Sequence, residues 1–134
     1  LSSLGRASFD LVLASNVLEH FTPDEGATLA GDLFDLLRPG GRVLVIQPNF
    51  RFAFRHYFDD YTHKTIFTDE GFCGLLGASG FRVVRCEPRF TPFTMKSRLP
   101  KAEWMVDLYL RLPYRPLAGQ FMVVAESSTE PAGN

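Results

Sequence analysis

Short apolar runs alternate with amphipathic stretches along the 134-residue chain. The apolar runs are rich in Val, Leu and Phe and are bounded by turn residues, a pattern that favours strands buried in a sheet. The predicted strands are Phe9–Ala14, Arg42–Pro48, Phe81–Pro88 and Gly119–Ser127. A helical period separates each strand from the next, and this alternation predicts an α/β fold with parallel strands.

The first helix has a clear start and a clear apolar face. Thr22, Pro23 and Glu25 stand in the N-cap, N1 and N3 positions, where the Thr hydroxyl and the Glu carboxylate can satisfy each other's free amides. Four leucines then recur with helical spacing: Leu29, Leu33, Leu36 and Leu37. The stretch "RPGG", residues 38–41, predicts the end of this helix and a turn.

Two further helices follow with the same kind of signal. The second begins at Thr68 and ends at Gly80, with an apolar face that comprises Phe72, Leu75, Leu76 and Ser79. The third spans about residues 101–112, with an apolar face that comprises Trp104, Leu108 and Leu112. Residues 49–67 have no clean period, and we expect an irregular excursion with about one helical turn.

Composition fits one globular domain, with 46% hydrophobic and 22% charged residues. No stretch approaches the roughly 18 apolar residues that span a bilayer, and none resembles a signal peptide. Cys73 and Cys86 have neither metal-binding nor redox spacing, which favours a reducing cytoplasm. We expect a loop over residues 1–8, a domain over 9–126 and a disordered tail over 127–134.

Positive charge is concentrated in residues 82–115, which carry 8 Lys or Arg against 3 Asp or Glu. Aromatic residues are interleaved with these bases, as in surfaces that hold nucleic acid, a phosphorylated sugar-lipid or a membrane. A helix that covers the sheet, with its bases in solvent, explains the pattern equally simply and is the interpretation that we favour. Nucleic acid is the weakest alternative because the whole chain has a net charge of −1.

The stretch "HYFDDYTH", from His56 to His63, invites a metal-site interpretation. The two histidines are seven residues apart in a segment broken by aromatics, and no separate ligand cluster supports them. Tyr61 and Lys64 are three apart, where the dehydrogenase Tyr–Lys pair is four apart. We therefore assign no metal ligands from the sequence.

Three stretches together resemble the second half of a class I S-adenosylmethionine-dependent methyltransferase. They match its fourth strand and following loop, its next helix, turn and fifth strand, and the helix leading to its sixth strand: "FDLVLASNVLEHF", "LFDLLRPGGRVLVIQPN" and "FTDEGFCGLLGASGFRVV". The resemblance implies a Rossmann-like half-sheet with strands in the order 4-5-7-6. It also implies S-adenosyl-L-methionine as cofactor and is nearest to bacterial enzymes that methylate small molecules and glycan or lipid precursors.

The resemblance covers residues 9–126 and lacks the family's first half. Neither a Gly-rich loop after a strand nor the acidic residue that closes the second strand occurs in the chain. We therefore expect a truncated enzyme that is inactive by itself. The family's strand 4, "DLVLAS", would become an exposed edge, which predicts self-association.

The resemblance also implies roles for the loop after the first strand. Ala14, Ser15 and Asn16 would lie against the methionine end of the cofactor, while Glu19 and His20 would face the substrate. Asn16 could equally be a loop cap, and His20 a polar residue satisfied at a helix start. Some relatives bind a divalent metal through "ExxEH", and Asn16 replaces the first acid of that pattern.

Family members also carry an Asp, a His and an aromatic-Thr pair before the helix to strand 6, which Asp60, His63 and residues 67–68 match. On that basis His63 is the leading candidate for proton removal from the acceptor. Asp60, Tyr57 and Tyr61 would shape the substrate pocket. Hydrogen bonds from His63 and Asp60 that only hold the loop are the structural alternative.

The resemblance therefore predicts methyl transfer to an O or N nucleophile of a small-molecule or glycan/lipid-precursor acceptor. A non-catalytic binding or interaction domain with the same fold is the alternative. A nicotinamide-dependent oxidoreductase is weaker, because the Gly-rich loop and the Tyr–Lys pair are both wanting.

Overall fold

A computed structural model describes residues 1, 3–92, 102–115 and 117–128. The described residues form one four-stranded sheet in the order β1-β2-β4-β3. Its strands are β1 (Phe9–Ser15), β2 (Leu37–Pro48), β3 (Phe81–Pro92) and β4 (Ala118–Ser127). This order confirms the 4-5-7-6 half-sheet that the resemblance implied.

Strand directions correct one prediction from the pattern alone. β1 and β2 are parallel, but β4 runs antiparallel to both of its neighbours. The expectation of a wholly parallel sheet is therefore wrong for β4. β4 follows β3 along the chain, lies between β2 and β3, and forms antiparallel ladders with both.

In the part of the chain that the structure describes, four α-helices flank or follow these strands: α1 (Pro23–Leu36), α2 (Phe50–Ala53), α3 (Asp69–Ala78) and α4 (Glu103–Arg111). The capping box of α1 is present, since Glu25 Oε2 accepts from the Thr22 amide at 2.8 Å. Thr68 caps α3, and Gly80 beyond it has a φ of 95°, as a left-handed stop requires. The excursion over 49–67 contains α2 and one 3₁₀ turn, as expected.

The "RPGG" stretch does not end α1. The helix ends at Leu36, and residues 38–41 lie inside β2, where the pairing with β1 jumps from Phe9–Leu37 to Leu11–Arg42. Gly40 has a φ of 77°, and a side chain on Gly41 would meet the Arg38 carbonyl oxygen at 2.9 Å. The glycines therefore permit a bulge in the strand.

The core lies between one face of the sheet and helices α1 and α3. Its fully buried members include Val43, Val45, Phe72, Leu76, Phe121 and Val123. The opposite face of β1 is open, since Leu11 and Leu13 are 60% and 61% exposed. β1 pairs with β2 alone among the described strands, and this confirms the expected edge.

Helix α4 departs from the favoured interpretation of a sheet cover. None of its residues is buried, and Trp104 and Leu108 are 67% and 56% exposed. Its predicted apolar face therefore lies largely in solvent. Lys101, the first residue of the predicted helix, lies outside the described residues.

No α-helix within the described ranges is both long and apolar enough to cross a membrane. β4 includes Ser127, whose hydroxyl donates to the Arg38 carbonyl at 2.7 Å, so the strand extends one residue into the predicted tail. Residues 129–134 of that tail lie outside the described residues.

Candidate functional site

An open cavity of about 1050 Å³ lies where β1 and β2 end and β4 begins. Three chain segments form its wall: the loop after β1, the excursion after β2 and the entry to β4. Its lining includes Asn16, Glu19, His20, His63, Arg89 and Gly119. Ligands of α/β sheets bind at this edge, outside the carboxyl ends of the parallel strands.

Asn16 reverses the chain at the end of β1. It has a φ of 53°, a left-handed conformation that Asn tolerates better than most residues. Its Oδ1 accepts from Gln120 Nε2 at 2.6 Å, and this bond ties the loop to β4. Ala14 is buried, whereas Ser15 and Asn16 are exposed. Of the three predicted cofactor residues, Asn16 lines the cavity, whereas Ala14 and Ser15 are not among its lining residues.

The carbonyl of Glu19 fastens the excursion to the loop after β1. It accepts from the Lys64 amide at 2.7 Å and from the Thr65 amide at 3.2 Å. The Thr65 hydroxyl adds a bond to the Phe21 carbonyl at 2.5 Å. These bonds bring together His63 and Glu19, which are far apart in sequence.

Glu19 itself is a buried carboxylate, with 1% of its surface exposed. Its Oε1 lies 3.7 Å from Nε2 of His20, and its Oε2 has no hydrogen-bond partner among the described residues. Burial raises the pKa of the Glu19 carboxyl above its usual range. A carboxylate in this state needs either a proton or a cation.

Asp60 orients His20 through Thr62. The Thr62 hydroxyl and amide both donate to Asp60 Oδ1, at 2.5 and 2.9 Å. Because the hydroxyl proton is used in that bond, Thr62 Oγ1 accepts from Nδ1 of His20 at 2.9 Å. The hydrogen bonds from Thr62 hold the pKa of Asp60 below its usual range. Asp60 thus lines the cavity and also supports an imidazole.

His63 is buried against Tyr57 and next to His20. Its Nδ1 donates to the Tyr57 carbonyl at 2.6 Å, and its Nε2 lies 3.7 Å from Asp60 Oδ2. The centroids of the His63 and His20 rings are 4.9 Å apart. A carbonyl oxygen can only accept, so the neutral His63 ring carries its lone pair on Nε2.

Two predicted substrate residues are placed very differently. Tyr57 is fully buried, and its hydroxyl donates to the Thr65 carbonyl, so it supports His63 from behind and does not line the cavity. Tyr61 does line the cavity and is 93% exposed. The expected pocket contact of Tyr57 is therefore corrected to a role in holding the loop.

The two histidines of "HYFDDYTH" separate in the structure. His56 pairs with Asp59 at 3.0 Å on the exposed wall of the cavity, whereas His63 joins Glu19 and His20. One ligand atom from each of these last three residues lies within 4.8 Å of the other two. They are the described residues that could hold a metal ion.

Arg89 is a cavity residue that the sequence reasoning did not single out. Its guanidinium carbon lies 4.0 Å from the centroid of Phe52, and Nη1 donates to the Tyr114 hydroxyl at 3.1 Å. Within the described part of the chain, no carboxylate lies within ion-pairing distance of it, whereas Arg85 and Arg115 both pair with Glu87. The interleaving of aromatic and basic residues over 82–115 was the sequence feature that could have indicated Arg89 as a site residue.

Comparison with known proteins agrees with this geometry. Residues 1–45 match the family model described as a methyltransferase domain. None of the curated proteins matches the chain.

Solved structures extend the likeness over nearly the whole chain. A SAM-dependent methyltransferase from Archaeoglobus fulgidus superposes with a TM-score of 0.68 at 20% identity, covering 94% of this chain and 62% of that one. A SAM-dependent methyltransferase from Methanosarcina mazei superposes with a TM-score of 0.59 at 15% identity, covering 96% of this chain and 63% of that one. The Burkholderia thailandensis 1,6-didemethyltoxoflavin-N1-methyltransferase, with 1,6-didemethyltoxoflavin and S-adenosylhomocysteine bound, superposes with a TM-score of 0.57 at 23% identity, covering 92% of this chain and 46% of that one.

The chain thus spans about three-fifths of the length of the first of these structures. On the evidence of the sheet order and these superpositions, the chain has the fold of the class I S-adenosylmethionine-dependent methyltransferases.

Proposed function

We propose that this chain is the acceptor-binding part of an S-adenosylmethionine-dependent methyltransferase. The observation that carries the proposal is the buried cluster of Glu19, His20 and His63, which opens into the cavity at the carboxyl end of β1. A fold of this kind supports many functions, so the function has to be argued from the site. Polar side chains whose orientation is fixed by other groups are what proton transfer or ligand binding requires.

The methyl donor would be S-adenosyl-L-methionine, held at its methionine end by Ala14, Ser15 and Asn16 at the end of β1. This strand end fits because Ser15 and Asn16 are exposed there, Ala14 is small, and Asn16 lines the cavity. The donor supplies an electrophilic methyl group, and the protein's task is to align the acceptor nucleophile with it. The 134 residues contain no Gly-rich loop, so under this proposal the chain alone is inactive.

Calorimetry with S-adenosylmethionine tests the donor assignment. We expect tight binding by the full reading frame that contains these residues, and weak binding by the 134-residue chain, because the chain lacks the Gly-rich loop. Tight binding by the chain alone would overturn the inactivity argument. No binding by either protein would favour the alternative of a non-catalytic interaction domain.

His63 is the group that we propose to take the proton of the acceptor. Its Nδ1 is held by the Tyr57 carbonyl, so that Nε2 carries the lone pair of the neutral ring beside the cavity. His20 and Glu19 complete the polar wall. Asp60, 3.7 Å from Nε2, stabilises the ring once it is protonated.

Replacement of His63 by alanine in the full-length enzyme tests this role. We expect kcat to fall by about 100-fold or more with the acceptor that the enzyme methylates, since general-base catalysis contributes about 10²- to 10⁴-fold. Lys64→Ala removes an exposed side chain of the same segment that is not among the cavity-lining residues, and it serves as the control. Unchanged turnover of His63→Ala, with the fold intact by circular dichroism, would leave His63 a structural role only.

Arg89 suggests that the acceptor is anionic, as in a phosphorylated glycan or lipid precursor. The residue is half-buried, lines the cavity and has its guanidinium stacked on Phe52. Stacking leaves the edge of a guanidinium available for a bidentate bond to phosphate or carboxylate. A small-molecule or glycan-type acceptor with such a group would be anchored there.

The Arg89→Met variant tests the anion contact. We expect KM for the acceptor to rise by about 10- to 100-fold with little change in kcat, because a hydrogen bond to a charged group is worth about 1.5–3 kcal/mol. Arg55→Met is the matched control, since Arg55 is exposed and also has no carboxylate partner among the described residues. Equal effects of the two substitutions would contradict a specific anchor.

We also propose a cytoplasmic location, because Cys73 and Cys86 have neither metal-binding nor redox spacing in the sequence. The open edge and face of β1 further suggest that the chain associates with a second copy of itself. Leu11 and Leu13 present apolar surface there. Docking of a second edge strand would satisfy the unpaired backbone groups of β1.

Sedimentation of the isolated chain over a range of concentrations tests self-association. We expect Leu13→Lys to lower the apparent mass, because a charge on the open face of an edge strand opposes docking. Val84→Lys is the control, since Val84 is 43% exposed on β3 at the other edge of the sheet. A wild-type chain that stays monomeric at high concentration would rule the association out.

A further inference from the structure

A second cavity adjoins the one at the carboxyl end of β1. Its volume is about 260 Å³, and it lies between β3 and the chain that follows α4. Phe52 and Arg89 line both cavities, so the two cavities meet at these side chains. A ligand that lies against Arg89 can therefore extend into a cavity on either side of it.

The guanidinium of Arg89 is held in place at this junction. Its carbon lies 4.0 Å from the ring centroid of Phe52 and 5.2 Å from that of Tyr114. Nη1 also donates to the Tyr114 hydroxyl at 3.1 Å. Two aromatic rings and a hydrogen bond thus fix the orientation of the cation, which is what recognition of a phosphate requires.

The wall of the second cavity is mainly apolar. It comprises the aromatic, leucine and proline side chains of Phe52, Pro88, Leu112, Pro113 and Tyr114. Glu87 also lines this cavity, but its carboxylate accepts from Arg85 at 2.6 Å and from Arg115 at 3.5 Å. Such a wall suits a hydrocarbon chain better than a sugar, because buried hydroxyl groups need hydrogen-bond partners.

Leu112 continues this apolar wall onto α4. Trp104, Leu108 and Leu112 are four residues apart and therefore lie along one side of the helix. They are 67%, 56% and 38% exposed, so the described part of the protein leaves this side uncovered. The stripe is about 12 Å long at 1.5 Å per residue, and it ends at the second cavity.

We propose that the second cavity and this stripe, together called the apolar track, bind the hydrocarbon chain of an acceptor whose phosphate is held by Arg89. A prenyl chain that ends in a phosphate has this chemistry. The part of the acceptor that carries the nucleophile then lies in the larger cavity, on the other side of Arg89. That order of the parts rests on the proposed function, whereas the binding of a hydrocarbon chain with a terminal phosphate does not.

The charges of α4 favour a single bound amphiphile over an anionic bilayer. Helices that lie on such a bilayer have Lys or Arg along their polar side. The polar side of α4 has Glu103 and Asp107 instead, and Arg111 is paired with Asp107 at 2.8 Å. The attraction for a phosphate therefore comes from Arg89 at the junction and not from the helix.

The fluorescence of Trp104, the single tryptophan of the chain, tests the apolar track. Farnesyl phosphate, added below the concentration at which it forms micelles, should shift the emission to shorter wavelength and saturate at one equivalent, because the hydrocarbon covers an exposed indole. Farnesol lacks the phosphate and should bind about 10- to 100-fold more weakly. Inorganic phosphate lacks the chain and should leave the emission unchanged.

Leu108→Gln and Val106→Gln form a matched pair of variants on α4. The two residues are 56% and 46% exposed and lie on different sides of the helix, two positions apart. We expect Leu108→Gln to weaken the binding of farnesyl phosphate by about 10-fold, because an apolar contact is lost. Val106→Gln should bind as the wild type does, and Arg89→Met should bind farnesyl phosphate no more tightly than farnesol.

Several results would overturn the apolar track. They are no binding of farnesyl phosphate, equal affinities for farnesyl phosphate and farnesol, and equal weakening by Leu108→Gln and Val106→Gln. An emission shift that grows with protein concentration alone would assign the stripe to a second copy of the chain. A shift caused only by phosphatidylglycerol vesicles would assign it to a bilayer. Failure of donor binding, measured by its own calorimetry, would contradict the proposed function and leave the farnesyl phosphate result standing.

Discussion

The candidate site depends on two hydrogen bonds to one carbonyl, that of Glu19. The amides of Lys64 and Thr65 both donate to it, and they are the link that holds the excursion after β2 against the loop after β1. The parallel pairing of β1 and β2 puts the ends of both strands at the same edge of the sheet, and the carbonyl then sets which residues meet there. The Thr65 hydroxyl, which donates to the Phe21 carbonyl, and Thr62, which bonds His20, strengthen the same contact, so that the backbone and two side chains together bring His63 to Glu19.

Burial of the Glu19 carboxylate lowers the stability of the fold, and this cost indicates that the residue has a function. A carboxylate with 1% exposure and an unsatisfied oxygen lowers the free energy of unfolding relative to an apolar residue of similar size. Tyr57 holds the loop in place. The centroid of its ring lies 4.7 Å from that of His63, and its hydroxyl donates to the Thr65 carbonyl. Groups kept at a cost in stability, with perturbed pKa values and in a cavity, are typical of functional sites.

Local patterns predicted the elements well and their arrangement poorly. The capping box at Thr22 and the stop at Gly80 depend on residues within one turn, and both occur as expected. The antiparallel direction of β4 depends on where a long connection returns, and only the family resemblance implied the order of the strands. Trp104 shows the limit of periodicity, because a helical apolar face does not reveal whether the sheet has surface left to receive it.

Local patterns also explain why Glu19, His20 and His63 could each be predicted as site residues, whereas their proximity in space could not be predicted from the sequence. Each residue was a candidate through its resemblance to a family position, whereas their convergence within 4.8 Å needs the register of the excursion against the loop. Thr62 carries no motif at all, yet it decides which nitrogen of His20 holds the proton. A residue that acts by fixing a tautomer is identified by its hydrogen bonds alone, because several other residue types could occupy its position without disturbing any sequence pattern.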